Sequence, residues 1–265
     1  MTIQRITVAQ IKARKGGNPI VSLTAYHAAF AAIADNYCDF LLVGDSVGMV
    51  VYGMDTTLSV KSELMIAHGK AVVQGSKQAL VVLDMPFGTY EESPEQAFRN
   101  AVYLIKETGC GALKLEGGVR ISRTVRFLVE RGIPVMGHIG LTPQMVKGFG
   151  GFKIQGKDAF GAKSIEEDGM AIEAAGAFAL VVEGVVESLA ARITDVLKIP
   201  TIGIGASSAC DGQILVVEDM LGISRFVPKF VRRYASVGTI MDEAFKNYAN
   251  DVRARKFPSG SEIYR

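Results

Sequence analysis

Short apolar runs alternate with longer stretches of amphipathic spacing along this chain. Residues 20–23, 40–43, 80–83, 112–115, 135–138, 178–182, 201–204 and 214–217 are apolar or nearly so and are bounded by turn-forming residues. That pattern is the signature of strands covered on both faces, which occur mainly in parallel sheets flanked by helices. Between them, residues 27–36, 61–74, 122–130, 164–175 and 187–198 carry apolar side chains at helical intervals. Another helix begins at Ser93-Pro94-Glu95, a capping residue followed by proline in the first turn. A helix at about 7–15, with Thr7 as its cap and Gly16-Gly17 as its stop, precedes the first strand.

Eight strands with crossovers on one side lead to the expectation of a (β/α)8 barrel of the α/β class. The expected organisation is a single domain over residues 1–265, with an extra N-terminal helix and C-terminal helices and tail from about residue 219. The connection at 206–213 is too short for a full helix, and an open doubly wound sheet accommodates that irregularity equally well. The rhythm also breaks at 140–163, a glycine- and lysine-rich stretch centred on Gly148-Phe149-Gly150-Gly151. A long irregular segment at this place reads as a functional loop or lid.

Four of the runs end in an acid. Leu41-Leu42-Val43-Gly44 leads into Asp45-Ser46, and Asp84, Glu116 and Glu183 follow their strands in the same way. In a barrel the segments after the strands meet at one mouth, where active sites of this architecture lie. Asp45 and Asp84, joined by Glu116, are candidate ligands for magnesium, which prefers one or two carboxylates and keeps positions open for water and substrate. Each acid alone could instead cap the following helix. Lys114 stands two residues before Glu116, so both face the interior, where an ammonium needs a substrate carboxylate or a neighbouring acid as partner. A structural ion pair with Glu116 or Asp84 is the alternative.

Glu183 is a candidate general base, or else a structural acid bonded to backbone amides. His138 ends a strand and could touch substrate or orient an acid, whereas His27 and His68 fall in expected helices. Ser46 could hold a substrate carboxylate or cap a turn. The stretch Gly203-Ile204-Gly205-Ala206-Ser207 lacks the third glycine of a dinucleotide fingerprint, which excludes nucleotide binding there.

Composition removes several function classes. A net charge of +2 with scattered basic residues gives no nucleic-acid footprint, and no run of eighteen apolar residues offers a membrane span. Three dispersed cysteines, Cys38, Cys110 and Cys210, form neither a disulfide framework nor a metal knuckle. With no apolar signal core at the start, a soluble, cytoplasmic protein is expected.

Taken in order, several stretches resemble the ketopantoate hydroxymethyltransferase family. They are Leu-Leu-Val-Gly-Asp-Ser at 41–46, Asp-Met-Pro-Phe-Gly-Thr-Tyr at 84–90 and Lys-Leu-Glu-Gly-Gly at 114–118. Gly-His-Ile-Gly-Leu-Thr-Pro-Gln at 137–144, Val-Glu-Gly at 182–184 and Asp-Gly-Gln at 211–213 complete the set. The resemblance implies a magnesium-dependent barrel in which Asp45 and Asp84 bind the ion and Glu116 lies at it or just behind its direct ligands. It implies that Ser46, Asp84 and Lys114 contact the substrate, 3-methyl-2-oxobutanoate, and that Glu183 accepts its proton; Asp45 and His138 complete the expected substrate-binding set. It also implies 5,10-methylenetetrahydrofolate as one-carbon donor, a product in pantothenate biosynthesis, and a homo-oligomer, typically a decamer. Ser207 and Glu218 depart from the glycine and histidine expected in the family. The competing readings are a magnesium-dependent lyase or mutase of the phosphoenolpyruvate mutase and isocitrate lyase type, which usually places a cysteine at the mouth, and a metabolite-binding barrel without catalysis.

Overall fold

A computed structural model describes residues 4–264, so the ends of the expected 1–265 domain lie outside the described residues. The described residues group into two compact units, one up to Val216 and one from Val217 onward. The first contains α1 (Val8–Lys12), β1 (Ile20–Thr24), α2 (Ala28–Ala34), β2 (Phe40–Val43), α3 (Val47–Val50), α4 (Ser62–Gly75), β3 (Leu80–Asp84), α5 (Pro94–Thr108) and β4 (Ala112–Glu116). It continues through α6 (Ser122–Val129), β5 (Val135–Gly140), α7 (Val146–Phe149), α8 (Ala159–Ala174), β6 (Ala179–Glu183), α9 (Glu187–Val196), β7 (Thr201–Ile204) and β8 (Gly212–Leu215). Every strand is parallel to the next, and β8 pairs with β1 to close the barrel. The open-sheet alternative is thereby excluded.

Local chemistry explains where the helices begin. Thr7 and Gln10 form a reciprocal capping box at α1, and the Ser93 hydroxyl accepts from the Gln96 amide at 3.0 Å with Pro94 in the first turn of α5. Inside the barrel, Ile20, Phe40, Leu42, Leu80, Val82, Ala112, Met136, Ala179, Val181, Ile202 and Ile214 form one buried cluster, joined by Ile11 from α1. Burying an isoleucine such as Ile11 stabilises the fold by about 1.5–3 kcal/mol. Because side chains alternate along a strand, the inward series continues from Val82 to Asp84, from Ala112 to Lys114 and Glu116, from Met136 to His138, and from Val181 to Glu183. The barrel interior is thus apolar below and charged toward the carboxyl ends of its strands.

Three elements differ from the sequence pattern. β8 lies at Gly212–Leu215 instead of 214–217, because ladder bonds need only backbone and the apolar run begins after them. Gly212 sits against β1, where a Cβ would meet the Ile20 carbonyl oxygen at 2.5 Å. α8 starts at Ala159, capped by Asp158, five residues before the expected helix; its first residues are exposed, with Phe160 at 86%, and so carry no apolar periodicity. The irregular segment after β5 contains a 3₁₀ turn at Pro143–Met145 and the short α7. In the β7–β8 connection, the Ser207 hydroxyl donates to Glu187 Oε1 at 2.8 Å and accepts from the Ala209 amide at 3.0 Å.

The second unit has α10 (Val217–Met220) and α11 (Val237–Arg253). The expected run of helix from 219 to 252 is interrupted over residues 221–236, where Pro228 removes a donor that a continuous helix needs. Glu218 is buried here and has an oxygen without a partner, and burial raises its carboxyl to about 7. Along α11, Met241, Phe245, Tyr248 and Val252 recur at helical spacing and are exposed.

Gly140 ends β5 with φ +90, opposite Glu183 in the ladder, and a Cβ there would meet the Glu183 carbonyl oxygen at 2.4 Å. Gly140→Ala is expected to lower stability by about 2 kcal/mol, from the left-handed backbone and the overlap together, and to displace the end of β6. Denaturant unfolding checks the first effect; an unchanged midpoint would show that the strand ends yield freely.

Candidate active site

The inward charged residues meet in one network. Lys114 Nζ lies 3.2 Å from Asp84 Oδ1, 2.9 Å from His138 Nδ1 and 3.7 Å from Glu116 Oε1. His138 reaches Glu116 Oε1 at 3.4 Å through Nδ1 and Glu183 Oε2 at 3.2 Å through Nε2. Ladder register explains the proximity, since Asp84 pairs with Lys114, Glu116 with His138, and Glu183 with Gly140 on the neighbouring strand. Asp45 follows the end of β2, past Gly44, and its amide donates to Asp84 Oδ2 at 3.0 Å.

The helix-cap alternatives do not hold for Ser46 and Asp45. Ser46 occupies the cap position of α3 without a capping hydrogen bond from its side chain, and its hydroxyl bonds instead to the Tyr26 hydroxyl at 2.8 Å. Asp45 Oδ2 accepts from Gln144 Nε2 at 2.9 Å rather than from a helix amide. His27 caps α2 through its ring, and His68 on α4 contacts the Tyr26 carbonyl and the Tyr52 hydroxyl, so both lie outside the network.

Electrostatics follow from burial and from an excess of acids. Burial raises the Asp45 carboxyl well above the usual carboxylate range, and the charges of Asp84 and Glu116 add to that. Asp84 is also raised by burial, although Lys114 opposes it. Burial pushes Glu116 the same way, yet His138 and Lys114 outweigh it and hold the carboxyl low. Burial also works against the Lys114 ammonium, but Asp84, Glu116 and Asp45 keep its pKa above the ordinary lysine value. For His138, burial and Lys114 oppose protonation while Glu116 and Glu183 favour it, and the acids lift the ring to about 9. The 2.9 Å approach of Lys114 Nζ to Nδ1 is a hydrogen bond only when Nδ1 carries no proton, whereas Glu116 and Glu183 on either side of the ring favour its protonation.

A divalent cation suits part of this set. Asp84 Oδ1 is buried and has no hydrogen-bond partner, its 3.2 Å ion pair with Lys114 being misaligned for one. Asp45 and Asp84 provide the one or two carboxylates that magnesium takes while keeping positions for water and substrate. Glu116 is engaged elsewhere, with Oε2 accepting from the Gln144 amide at 2.9 Å and Oε1 facing Lys114 and His138. Among the described residues no three acids, histidines or cysteines are arranged to hold a metal ion together.

Tyr26, Tyr90 and Gln144 belong to the network and were not singled out from the sequence. Gln144 and Tyr90 stand at the ends of the motif stretches 137–144 and 84–90, which was the one signal available. Both are buried, and the Tyr90 hydroxyl accepts from the Glu116 amide at 3.2 Å.

A family model described as ketopantoate hydroxymethyltransferase matches residues 5–260. The chain belongs to this family. Among curated relatives, the 3-methyl-2-oxobutanoate hydroxymethyltransferase of Bartonella quintana is 67% identical over 264 residues, covering 100% of this chain and 96% of the relative. That of Parvibaculum lavamentivorans is 62% identical over 262 residues, covering 99% and 96%. Solved structures similar in fold include a 2,3-dimethylmalate lyase of the phosphoenolpyruvate mutase and isocitrate lyase superfamily, with a TM-score of 0.62, 15% identity and coverage of 97% of this chain and 91% of that one. A phosphonopyruvate hydrolase in complex with oxalate and Mg²⁺ has a TM-score of 0.62 at 11% identity, with coverage of 97% and 93%.

The crowding of acids generates a test of this ketopantoate hydroxymethyltransferase family member. A carboxyl whose folded pKa lies above its unfolded value of about 3.8 lends stability that is full below that pH and is lost as pH rises through the raised value. Asp45→Asn is therefore expected to stabilise the metal-free protein near neutral pH by about 1 kcal/mol while lowering activity. Melting curves of wild type and variant from pH 4 to 8 check it; a variant less stable than wild type across that range would mean that burial does not strain Asp45.

Proposed function

We propose that this enzyme transfers a hydroxymethyl group from 5,10-methylenetetrahydrofolate to 3-methyl-2-oxobutanoate, giving 2-dehydropantoate. The observation that carries the mechanism is the separation of the acids into two kinds. Asp45, Asp84 and Glu116 are 4%, 2% and 5% exposed and crowd one another, whereas the Glu183 side chain is 17% exposed and touches the network only through His138. A base must reach a substrate proton, and Glu183 alone of the four has room to do so.

In this reading Asp45 and Asp84 hold Mg²⁺, which supplies Lewis-acid stabilisation of negative charge on the keto acid. Lys114 and the Ser46 hydroxyl, the latter aimed by Tyr26, bind and orient the keto acid. Glu183 removes the proton from the third carbon; His138 Nε2 lies 3.2 Å from its Oε2, close enough to orient the carboxylate once the two groups align, although they are misaligned for a hydrogen bond in this structure. The electron pair left on that carbon forms the new carbon–carbon bond with the one-carbon unit once the folate ring has opened to an iminium ion. The remaining C–N bond of the one-carbon unit is then replaced by a C–OH bond from one water, whose proton goes to the departing nitrogen, and tetrahydrofolate leaves. Lys114, Ser46 and His138 contribute by orientation, which keeps the reacting carbons in line.

The lyase reading is disfavoured by the cysteines. Cys110 precedes β4 at the amino end of the barrel, and burial raises the Cys38 and Cys110 thiols to about 11, far from a reactive thiolate. Cys210 is buried before β8 and lies 3.6 Å from the Thr194 hydroxyl. Similarity to lyases and mutases at 11–16% identity speaks for the barrel and not for its chemistry. Self-association into a homo-oligomer is part of the same proposal, supported by the exposed apolar strip on α11 that a lone chain leaves in water. No described helix is long and apolar enough to cross a membrane.

Hydrogen–deuterium exchange at the third carbon of 3-methyl-2-oxobutanoate, followed by NMR with Mg²⁺ and without folate, isolates the proton step. Wild type is expected to exchange, and Glu183→Gln to exchange about 10²–10⁴-fold more slowly. Absence of exchange in wild type would remove the enolate mechanism, and undiminished exchange in the variant would remove Glu183 as the base.

A further inference from the structure

Gln144 lies in the 3₁₀ turn between β5 and α7 and is 5% exposed, unusually deep for a residue with a neutral polar side chain on a loop. Every polar atom of that side chain is used. Nε2 donates to Asp45 Oδ2 and to the Met85 carbonyl, both at 2.9 Å, and Oε1 accepts from the Tyr90 hydroxyl. The direction of the amide follows from the partners: the Met85 carbonyl can only accept, so the NH₂ must face it. The Tyr90 hydroxyl, which already accepts from the Glu116 amide, has its proton for Oε1, the nearer of two acceptors, the other being the Glu116 carbonyl oxygen at 3.4 Å. The backbone amide of Gln144 then donates to Glu116 Oε2.

We propose that Gln144 is a positioning residue for the metal-binding mouth, occupying one oxygen of Asp45 and one of Glu116 so that only their second oxygens remain available. Asp45 then presents its free oxygen beside Asp84 to the cation, while Glu116 is turned to Lys114 and His138 and kept out of the cation's direct ligands. Tyr90 serves the same end by locking the amide. A buried amide with both N–H groups and its oxygen engaged cannot turn over without stranding polar groups, so the segments after β2 and β3 are tied to one side chain carried after β5, while the backbone amide of the same residue bonds the end of β4. The inference rests on the reading of Asp45 and Asp84 as holders of Mg²⁺.

The test measures Mn²⁺ binding to the full chain by electron paramagnetic resonance, together with kcat and KM, for wild type, Gln144→Met, Tyr90→Phe and Asp45→Asn. Methionine keeps the volume of glutamine and removes its donors, so a residue that only fills space tolerates it. Positioning predicts that Gln144→Met weakens Mn²⁺ about 10–100-fold in the folded protein, the usual size of such an effect behind a metal ligand, and that Tyr90→Phe weakens it in the same direction by less. If Asp45→Asn loses Mn²⁺ but folded Gln144→Met and Tyr90→Phe bind it like wild type, the positioning role is overturned while the metal reading stands. If Asp45→Asn itself binds Mn²⁺ like wild type, the metal reading falls, and this inference falls with it. Should Gln144→Met fail to fold, Tyr90→Phe decides alone, since it deletes one hydroxyl and leaves the ring that packs.

Discussion

An ammonium held inside a barrel constrains everything around it. Lys114 is 4% exposed, and a charge so placed is tolerated only with opposite charge and hydrogen-bond partners close by. Asp84 from β3, Glu116 from β4, the strand of Lys114 itself, and His138 from β5 supply them. The relation also runs the other way, because Lys114 is the one lysine among these acids and does not neutralise them all. Asp45 is left as the least satisfied member, raised by burial and by its acidic neighbours. A site that is short of positive charge in this manner is prepared for a cation and for an anionic substrate together.

The barrel brings these groups into register without loops having to find one another. Asp84, Lys114, Glu116, His138 and Glu183 all lie on strands, whose ladder bonds fix them far more firmly than a loop would. Asp45, Ser46, Gln144, Tyr26 and Tyr90 sit beyond strand ends, and each is tied down by a hydrogen bond to another member of the mouth. The fold is shared with lyases, mutases and hydrolases at low identity. The chemistry of this chain is therefore argued from its own side chains at the mouth and not from the fold.

Much of this was legible in the sequence, because buried parallel strands announce themselves as apolar runs and an acid at the end of such a run has few structural reasons to be there. The strands 40–43 and 201–204 agree with the structure residue for residue, as do the caps Thr7 and Ser93. Two-residue spacing alone put Lys114 and Glu116 on one interior face. Legibility ended where burial stopped writing the pattern: β8 begins with Gly212 and Gln213, and α8 opens with exposed residues, so neither start carries an apolar signal. The segment after β5 read as featureless because its turns are too short for a period.

By itself the sequence determined the eightfold alternation, the identity of the acids and the family, since these depend on residue type and local spacing. Tertiary structure alone decided who faces whom. That Asp45 bonds to Gln144 rather than to a helix amide, that Glu116 turns toward His138, and that Tyr90 and Tyr26 steer polar groups at the mouth are contacts between residues 20 to 99 positions apart. Such pairings follow from closure of the barrel and the stagger of its strands, and no local pattern of hydrophobic and polar residues encodes them.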